Sequence, residues 1–250
     1  MPKFISEGIE IAYETYGEGP PVVLVHGFAS NGQVNWVATG WVDALTEAGY
    51  QAITMDNRGH GQSEKLYDSQ YYGARSMAHD VANLIDHLKC GPVVLLGYSM
   101  GARISAFVAV DAPRKVSAVI FGGLGINMIH GMSDSAQIIE GLLAPSLSVV
   151  THKTARQFRI FAEHTGSDRK ALAACMAASR APISAEDVQN IDVPALVAVG
   201  SADVVAGAPE PLAELLPQGE VLVIERRDHM RATGDPQFKQ GVLAFLQRHA

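Results

Sequence analysis

A serine between two glycines, together with polar residues that follow other apolar runs, supplies the chemistry this sequence could perform. The segment Gly97-Tyr98-Ser99-Met100-Gly101 comes directly after the apolar run Val93 to Leu96, and a helical pattern follows at once. In a strand, tight turn and helix, Gly-x-Ser-x-Gly is a nucleophile elbow that exposes its serine at the top of a sheet. The N–H groups and dipole of the following helix favour a developing oxyanion there. The alternative is an ordinary strand-to-helix turn that contains a serine, and the rest of the chain must decide.

The hydroxyl of Ser99 is a poor nucleophile at neutral pH, so it needs a base within hydrogen-bond reach. Open α/β sheets assemble their sites at the carboxyl ends of neighbouring strands, so the candidates follow the apolar runs. His229 lies in the loop after the last run, Val221 to Ile224. This position makes His229 the predicted base, and the competing interpretation is a surface-loop histidine.

A carboxylate is then needed to hold the base histidine in the right tautomer and to stabilise its imidazolium. Asp203 follows the apolar run Ala195 to Val199 and is the predicted acid. One alternative is that Asp203 only caps a turn, as aspartate often does. Another is Asp228, but it adjoins His229, and neighbours in a loop rarely point at each other in triad geometry. The preceding run ends in Gly122-Gly123-Leu124-Gly125, which contains no acid.

Two backbone N–H groups are predicted to stabilise the negative charge that develops on the attacked carbonyl oxygen. His26-Gly27-Phe28 follows the apolar run Val22 to Val25. A glycine there lets the backbone turn over the sheet, so that the Phe28 N–H points at the reacting oxygen. The Met100 N–H, next to the serine, is the second predicted donor of this oxyanion hole.

Alternating strands and helices must position these groups. Residues 9–14 alternate apolar and polar side chains, which predicts a half-exposed strand in a hairpin with Phe4-Ile5. The later apolar runs are continuous, as in strands covered by helices on both faces, and helical periodicities lie between them. The predicted fold class is therefore α/β, with a mostly parallel, doubly wound sheet of about eight strands. A long helical segment predicts an inserted cap at residues 126–182, on a core domain of residues 1–125 and 183–250.

These motifs, in this order, make the chain resemble the α/β-hydrolase superfamily over nearly its whole length. Serine, aspartate and histidine occur in the family's chain order, and His26-Gly27-Phe28 resembles its oxyanion motif. The segment Asp56 to Ser63 resembles the family's Asp-x-Arg-Gly-x-Gly-x-Ser loop. The resemblance implies that Asp56 and Arg58 tie the loops behind the oxyanion hole rather than bind metal or phosphate. Relatives that displace halide or open epoxides use aspartate at the elbow, so Ser99 implies acyl transfer.

The predicted function is a serine hydrolase that cleaves carboxylic esters of small to medium apolar acyl or aryl substrates through an acyl-enzyme. The chemistry requires no cofactor, and no metal site is predicted from the spacing of the histidines. A lactonase, a carbon–carbon bond hydrolase or a cofactor-free perhydrolase would use the same residues. A non-catalytic ligand receptor on this fold is a further alternative, although a receptor would not need a complete triad.

Mostly apolar residues are predicted to line the substrate pocket, an environment that suits an acyl or aryl group. They are Phe28, Tyr98, Met100 and Leu124 near the strand ends, with Trp36, Met128, Ile129 and Met132 as further candidates. For the Met, Ile and Leu side chains of the cap, packing against the main domain is the favoured alternative. Basic residues of the cap could bind a substrate carboxylate, but solvated helix faces are the favoured interpretation. These basic residues are Lys153, Arg156, Arg159 and Arg180.

Composition narrows the possible partners. The 250 residues are 48% hydrophobic and 18% charged, typical of a globular protein, and the formal net charge is −7. An acidic surface argues against nucleic acid or an anionic membrane as partner and favours a small-molecule substrate.

Cys90 and Cys175 have no metal or redox spacing and are predicted to be reduced thiols. The N-terminus has no apolar segment of signal-peptide type, so we expect a cytoplasmic protein, as a monomer or small homo-oligomer.

Overall fold

An eight-stranded sheet forms the centre of the computed structural model, which describes residues 1–131, 134–178 and 181–249. Its strands are β1 (Lys3–Ser6), β2 (Ile9–Tyr16), β3 (Pro21–Val25), β4 (Gln51–Met55), β5 (Val93–Tyr98), β6 (Val116–Gly122), β7 (Ala195–Gly200) and β8 (Gly219–Ile224). They lie in the order β1-β2-β4-β3-β5-β6-β7-β8. The β1–β2 and β2–β4 pairs are antiparallel, and the other neighbours are parallel. The predicted mostly parallel sheet is confirmed.

Helices cover both faces of the sheet and complete the predicted double winding. They are α1 (Trp41–Glu47), α2 (Ala74–Leu88), α3 (Met100–Asp111), α4 (Asn127–His130), α5 (Ser135–Leu143), α6 (Lys153–His164), α7 (Arg169–Ala178), α8 (Ala185–Gln189), α9 (Glu210–Ala213), α10 (His229–Ala232) and α11 (Pro236–His249). A π-helical turn spans Gln33–Val37, and 3₁₀ turns span Ser69–Tyr71, Pro113–Lys115 and Leu147–Val149. None of the helices in the described ranges is long and apolar enough to cross a membrane.

The continuous apolar runs supply side chains to two separate cores, one on each face of the sheet. Successive side chains of a strand point to opposite faces, so Val23 packs in one core and Leu24 in the other. One prediction about these runs is wrong. In β8, Val221 and Val223 are 40% and 37% exposed, so helices do not cover both faces of that strand. The reason is that β8 is the last strand of the sheet and lies at its edge.

A buried arginine contacts both ends of the segment between β6 and β7. Arg103 of α3 is 3% exposed and donates to Met128 O at 2.6 Å and to Asn127 O at 3.0 Å, where the segment begins. It also donates to Ala181 O at 3.3 Å, where the segment ends. One side chain on the helix behind Ser99 therefore holds both stems of the segment. The division into core and cap at residues 126 and 182 stays a prediction.

Candidate active site

Ser99 lies at the sharp turn between β5 and α3. Its φ of 54° and ψ of −111° are unusual for a residue with a side chain, and its amide donates to Gly122 O at 2.8 Å. The two flanking glycines are required by close approach. A Cβ on Gly97 would lie 2.3 Å from Gly101 O, and a Cβ on Gly101 would lie 1.9 Å from Val25 O. Strand and helix therefore cross too closely for any side chain at these two positions, and Ser99 itself is partly exposed.

The structure brings together the three side chains that the sequence proposes as nucleophile, base and acid. His229 Nε2 lies 3.1 Å from Ser99 Oγ, and His229 Nδ1 lies 2.8 Å from Asp203 Oδ2. The Asp203 side chain is fully buried, whereas the His229 side chain retains 15% of its exposure. An unbroken hydrogen-bonded chain therefore runs from a buried carboxylate through an imidazole to the hydroxyl of a partly exposed serine.

The two aspartates near the histidine have different partners. Asp203 uses one carboxylate oxygen for the histidine and the other for the amides of Val205 and Ala206, at 2.8 and 3.0 Å. The turn-capping alternative is thus true of its second oxygen only. Asp228 is the N-cap of α10, and its Oδ1 accepts from the amides of Met230 and Arg231 at 3.1 and 2.9 Å. Asp228 therefore stabilises the first turn of α10, which begins with His229.

Hydrogen bonds between the loops after β7 and β8 set the distance between acid and base. Ala202 N donates to Arg227 O at 3.0 Å, and Arg226 N donates to Ser201 Oγ at 2.8 Å. Tyr98 also holds the loop after β8, because its hydroxyl donates to His229 O at 2.5 Å. These contacts join residues far apart in sequence, so no local sequence pattern predicts them.

The predicted oxyanion loop passes directly beside the serine. A Cβ on Gly27 would lie 3.3 Å from Tyr98 O and 3.6 Å from the Cβ of Ser99, and the Gly27 amide donates to Asn35 Oδ1 at 3.1 Å. Phe28 comes next in the chain and is 4% exposed. Met100 is the first residue of α3, where an amide has no acceptor within its own helix. The contribution of Asn35 was not foreseen from the sequence.

Behind this loop, Asp56 and Arg58 make the contacts that the resemblance implies. Asp56 accepts from the amides of Gly32 and Gln62, both at 2.7 Å, and so joins the segment after the oxyanion loop to its own loop. Arg58 forms two hydrogen bonds of 2.7 Å with the carboxylate of Asp80, and both side chains are buried. The paired charges brace α2 against the loop.

Two buried histidines lie beneath the loop and remain neutral. His26 Nδ1 donates to Gly27 O at 2.7 Å, its Nε2 accepts from the Asn57 amide at 2.9 Å, and its ring lies 5.2 Å from that of His60. Burial lowers the pKa of His26 to about 4 and that of His60 to about 3. The His60 ring also packs edge-on against Phe28 at 5.8 Å. Uncharged rings can therefore pack tightly under the oxyanion loop.

The predicted substrate-binding residues are buried, and their role in binding stays a prediction. Trp36 and Met128 have no exposed surface, and Tyr98 and Leu124 are 4% and 5% exposed. Trp36 packs edge-on against Trp41 in the core on one face of the sheet, and Tyr98 supports the His229 loop from the same core. Apolar character identified side chains that pack inside the protein, because such residues are far more numerous in cores than in pockets. An open groove of about 710 Å³ lies elsewhere, lined by Tyr67, Leu142, Leu143, Asp168, Arg169 and Lys170.

The basic residues of the cap divide into two groups. Lys153 and Arg156 are exposed, as the solvated-face interpretation requires. Arg159 is 3% exposed, donates to Gly141 O and Ala144 O at 2.9 Å each, and pairs with Glu163. It therefore satisfies the carbonyls that end α5, so that interpretation is wrong for Arg159. Met132 and Arg180 lie outside the described residues.

The chain is similar in sequence and fold to several known enzymes. A model of the alpha/beta hydrolase fold family matches residues 20–146. Non-heme chloroperoxidase CPO-A1 of Kitasatospora aureofaciens is 27% identical, in an alignment that covers 97% of this chain and 98% of that protein. A bromoperoxidase structure from Bacillus anthracis has a TM-score of 0.79 and 25% identity over 96% of each chain. An esterase structure from Exiguobacterium antarcticum shares the fold, with a TM-score of 0.82 and 23% identity over 99% of this chain and 100% of that chain.

Proposed function

Because the chain belongs to the alpha/beta hydrolase fold family, we propose that it is a serine hydrolase acting on carboxylic esters with small to medium apolar acyl or aryl groups. The observation that carries the proposal is the hydrogen-bonded chain from Asp203 through His229 to Ser99. A serine becomes a strong nucleophile when an adjacent base takes its proton and a carboxylate orients that base. The nucleophile, the base and the carboxylate each have a candidate group, and each lies within hydrogen-bond distance of the next.

The proposed reaction proceeds through an acyl-enzyme. Ser99 Oγ attacks the ester carbonyl carbon while His229 Nε2 takes its proton, and Asp203 stabilises the imidazolium. The N–H groups of Phe28 and Met100 stabilise the oxyanion of the tetrahedral intermediate. The intermediate expels the alcohol, which receives the proton from His229. Water, deprotonated by the same histidine, then attacks the acyl-enzyme and releases the acid and free Ser99, so that the cycle needs no cofactor.

A cofactor-free perhydrolase is the second candidate, favoured by the similarity to a chloroperoxidase and a bromoperoxidase. In that reaction hydrogen peroxide replaces water, attacks the acyl-enzyme and leaves as a peracid, which then oxidises halide in solution. Lactonase and carbon–carbon bond hydrolase activities remain alternatives that need the same triad. A ligand receptor is less well supported, since a receptor has no need of a base aligned on a hydroxyl.

A panel of p-nitrophenyl esters and a fluorophosphonate probe tests the proposal. We expect the wild-type protein to be labelled at Ser99 and to hydrolyse short and medium esters, and the Ser99→Ala variant to do neither. Labelling without ester turnover would favour the lactone or carbon–carbon alternatives. Complete failure of labelling would refute the serine-hydrolase proposal. The perhydrolase reaction is measured in parallel with acetate, hydrogen peroxide and bromide. The bromination of a dye is the readout.

The proposal extends to the protein's setting. We propose a small-molecule substrate, a cytoplasmic location and a monomer or small homo-oligomer. The negative charge of the chain and the absence of a sequence motif for nucleic acid support the first point. Light scattering on the purified protein measures the third.

A further inference from the structure

The segment between α6 and α7 reaches across to the loop of the proposed oxyanion hole. Ala29 directly follows Phe28, has no exposed surface and takes up the left-handed backbone conformation, with φ at 60°. Its carbonyl accepts from Thr165 Oγ1 at 2.9 Å and lies 3.4 Å from Ser167 Oγ. Thr165 is the C-cap residue of α6. A strained turn beside a proposed catalytic donor is therefore held by a hydroxyl 136 residues away.

The Thr165 hydroxyl has one proton and several neighbours. Its Oγ1 lies 3.1 Å from Phe161 O, 3.2 Å from Ala162 O and 2.8 Å from Ser167 Oγ. Ala29 O is the nearest of the three carbonyls. Ser167 can donate to Thr165 Oγ1 while Thr165 donates to Ala29 O. In this arrangement the two shortest contacts of the group are both hydrogen bonds. Bonding back to its own helix would leave the buried Ala29 carbonyl with only the longer contact.

Two further contacts join the helices on either side of this segment to the residues that carry the proposed donors. The Phe28 ring packs edge-on against Phe158 of α6, with centroids 5.6 Å apart. On the other side of the serine, Met100 Sδ lies 3.9 Å from Cys175 Sγ of α7. The residues that carry both proposed N–H donors thus have side chains packed against α6 or α7.

We propose that Thr165 is a positioning residue of the oxyanion hole, an inference that rests on the proposed function. Its hydroxyl holds the Ala29 carbonyl and with it the left-handed turn, which keeps the preceding Phe28 N–H directed at the oxyanion. Oxyanion donors act on the transition state, where they must be aligned in advance. The hydroxyl should therefore influence kcat more than KM, and α6 must be seated on the core for full activity.

Thr165→Val is the discriminating variant, because valine keeps the shape and β-branching of threonine but cannot donate. Thr165→Ser is the matched control that restores the donor. The assay measures kcat and KM with the best p-nitrophenyl ester, per active site titrated with fluorophosphonate. An alkyl trifluoromethyl ketone, whose hemiketal with Ser99 carries the oxyanion, is compared with the product acid, which does not form one.

We expect Thr165→Val to lower kcat about 10- to 100-fold with KM nearly unchanged, less than or equal to the loss of a whole oxyanion donor. Trifluoromethyl ketone binding should weaken by a similar factor, while product-acid binding should change less than about threefold. Thr165→Ser should recover most of kcat. If valine prevents folding, Thr165→Ala is assayed in the same way.

Two outcomes would overturn the inference, and they are distinct from failure of the proposed function. An active wild type whose valine variant keeps kcat within about twofold would remove any positioning role. Equal weakening of the ketone and the product acid would indicate a general loss of structure instead. A wild-type protein that neither reacts with fluorophosphonate nor turns over esters would reject the proposed function itself, and the inference with it.

Discussion

Replacing Asp203 by asparagine tests whether this carboxylate controls the position of the proton on His229. The Asp203 side chain is fully buried, and its Oδ1 accepts from two backbone amides. Asparagine fits the same space and keeps its amide oxygen on those two amides. Its NH₂ group must then face His229 Nδ1, 2.8 Å away, where the carboxylate oxygen lay.

The size of the effect follows from this exchange of acceptor for donor. Nδ1 must become an acceptor, so the imidazole proton moves to Nε2 and points at Ser99 Oγ, 3.1 Å away. A protonated Nε2 cannot take the serine proton. The same tautomer error in a protease triad lowers kcat about 10,000-fold. At about 1.36 kcal/mol for each tenfold change, the activation barrier should rise by about 5 kcal/mol.

Asp228→Asn is the matched control in the same ester assay, with active sites titrated by fluorophosphonate under forcing conditions. Asparagine caps a helix about as well as aspartate, so α10 should keep its first turn and kcat should stay within about threefold of wild type. The proposed role of Asp203 is refuted if Asp203→Asn retains more than about a tenth of wild-type kcat. It is also refuted if the two variants lose activity equally.

Three other changes have definite expected outcomes. The pKa values of His26 and His60 are about 4 and about 3 in the folded protein and about 6.5 in the unfolded chain. The two histidines should therefore contribute fully to the free energy of unfolding above about pH 6.5, and this free energy should fall as the pH drops. Two protons limit the slope to about 2.7 kcal/mol per pH unit, and urea unfolding that is flat between pH 6.5 and 5 would contradict this. Arg103→Met should lower the free energy of unfolding by about 3 kcal/mol or more, since three carbonyls lose a buried donor; a loss under about 1 kcal/mol would contradict it. Tyr98→Phe should reduce kcat several-fold with little change in fold, because the loop of His229 loses its hydroxyl contact, and unchanged kcat would dismiss that support.

The sheet and the positions of the candidate groups could be predicted because both depend on local patterns. Alternation in β2 and unbroken apolar runs in the inner strands report how each strand is covered. The groups at the carboxyl ends of parallel strands then share one edge, so Asp203 and His229 could be placed near Ser99 before any distance was known. The exposed residues of β8 escaped prediction, because an apolar run does not reveal whether its strand lies at the edge.

The substrate-facing surface could not be predicted, and the reason is a general one. Apolar side chains at strand ends and in the cap serve packing and binding equally well, and sequence carries no sign of which space they fill. Trp36 and Met128 prove to be core residues. Its charge predicts a solvated face for Arg159, yet its guanidinium satisfies carbonyls at the end of a neighbouring helix.

By itself, the sequence determined the types of the candidate groups, their order along the chain and the strand ends that carry them. Glycines at the elbow, for example, are demanded by any strand and helix that cross so closely. The tertiary structure supplied the contact itself: Asp203 hydrogen-bonds His229, whereas Asp228, the alternative acid, caps α10. It also decided that Thr165 meets Ala29, since a contact between distant residues depends on how helices pack and not on any local period.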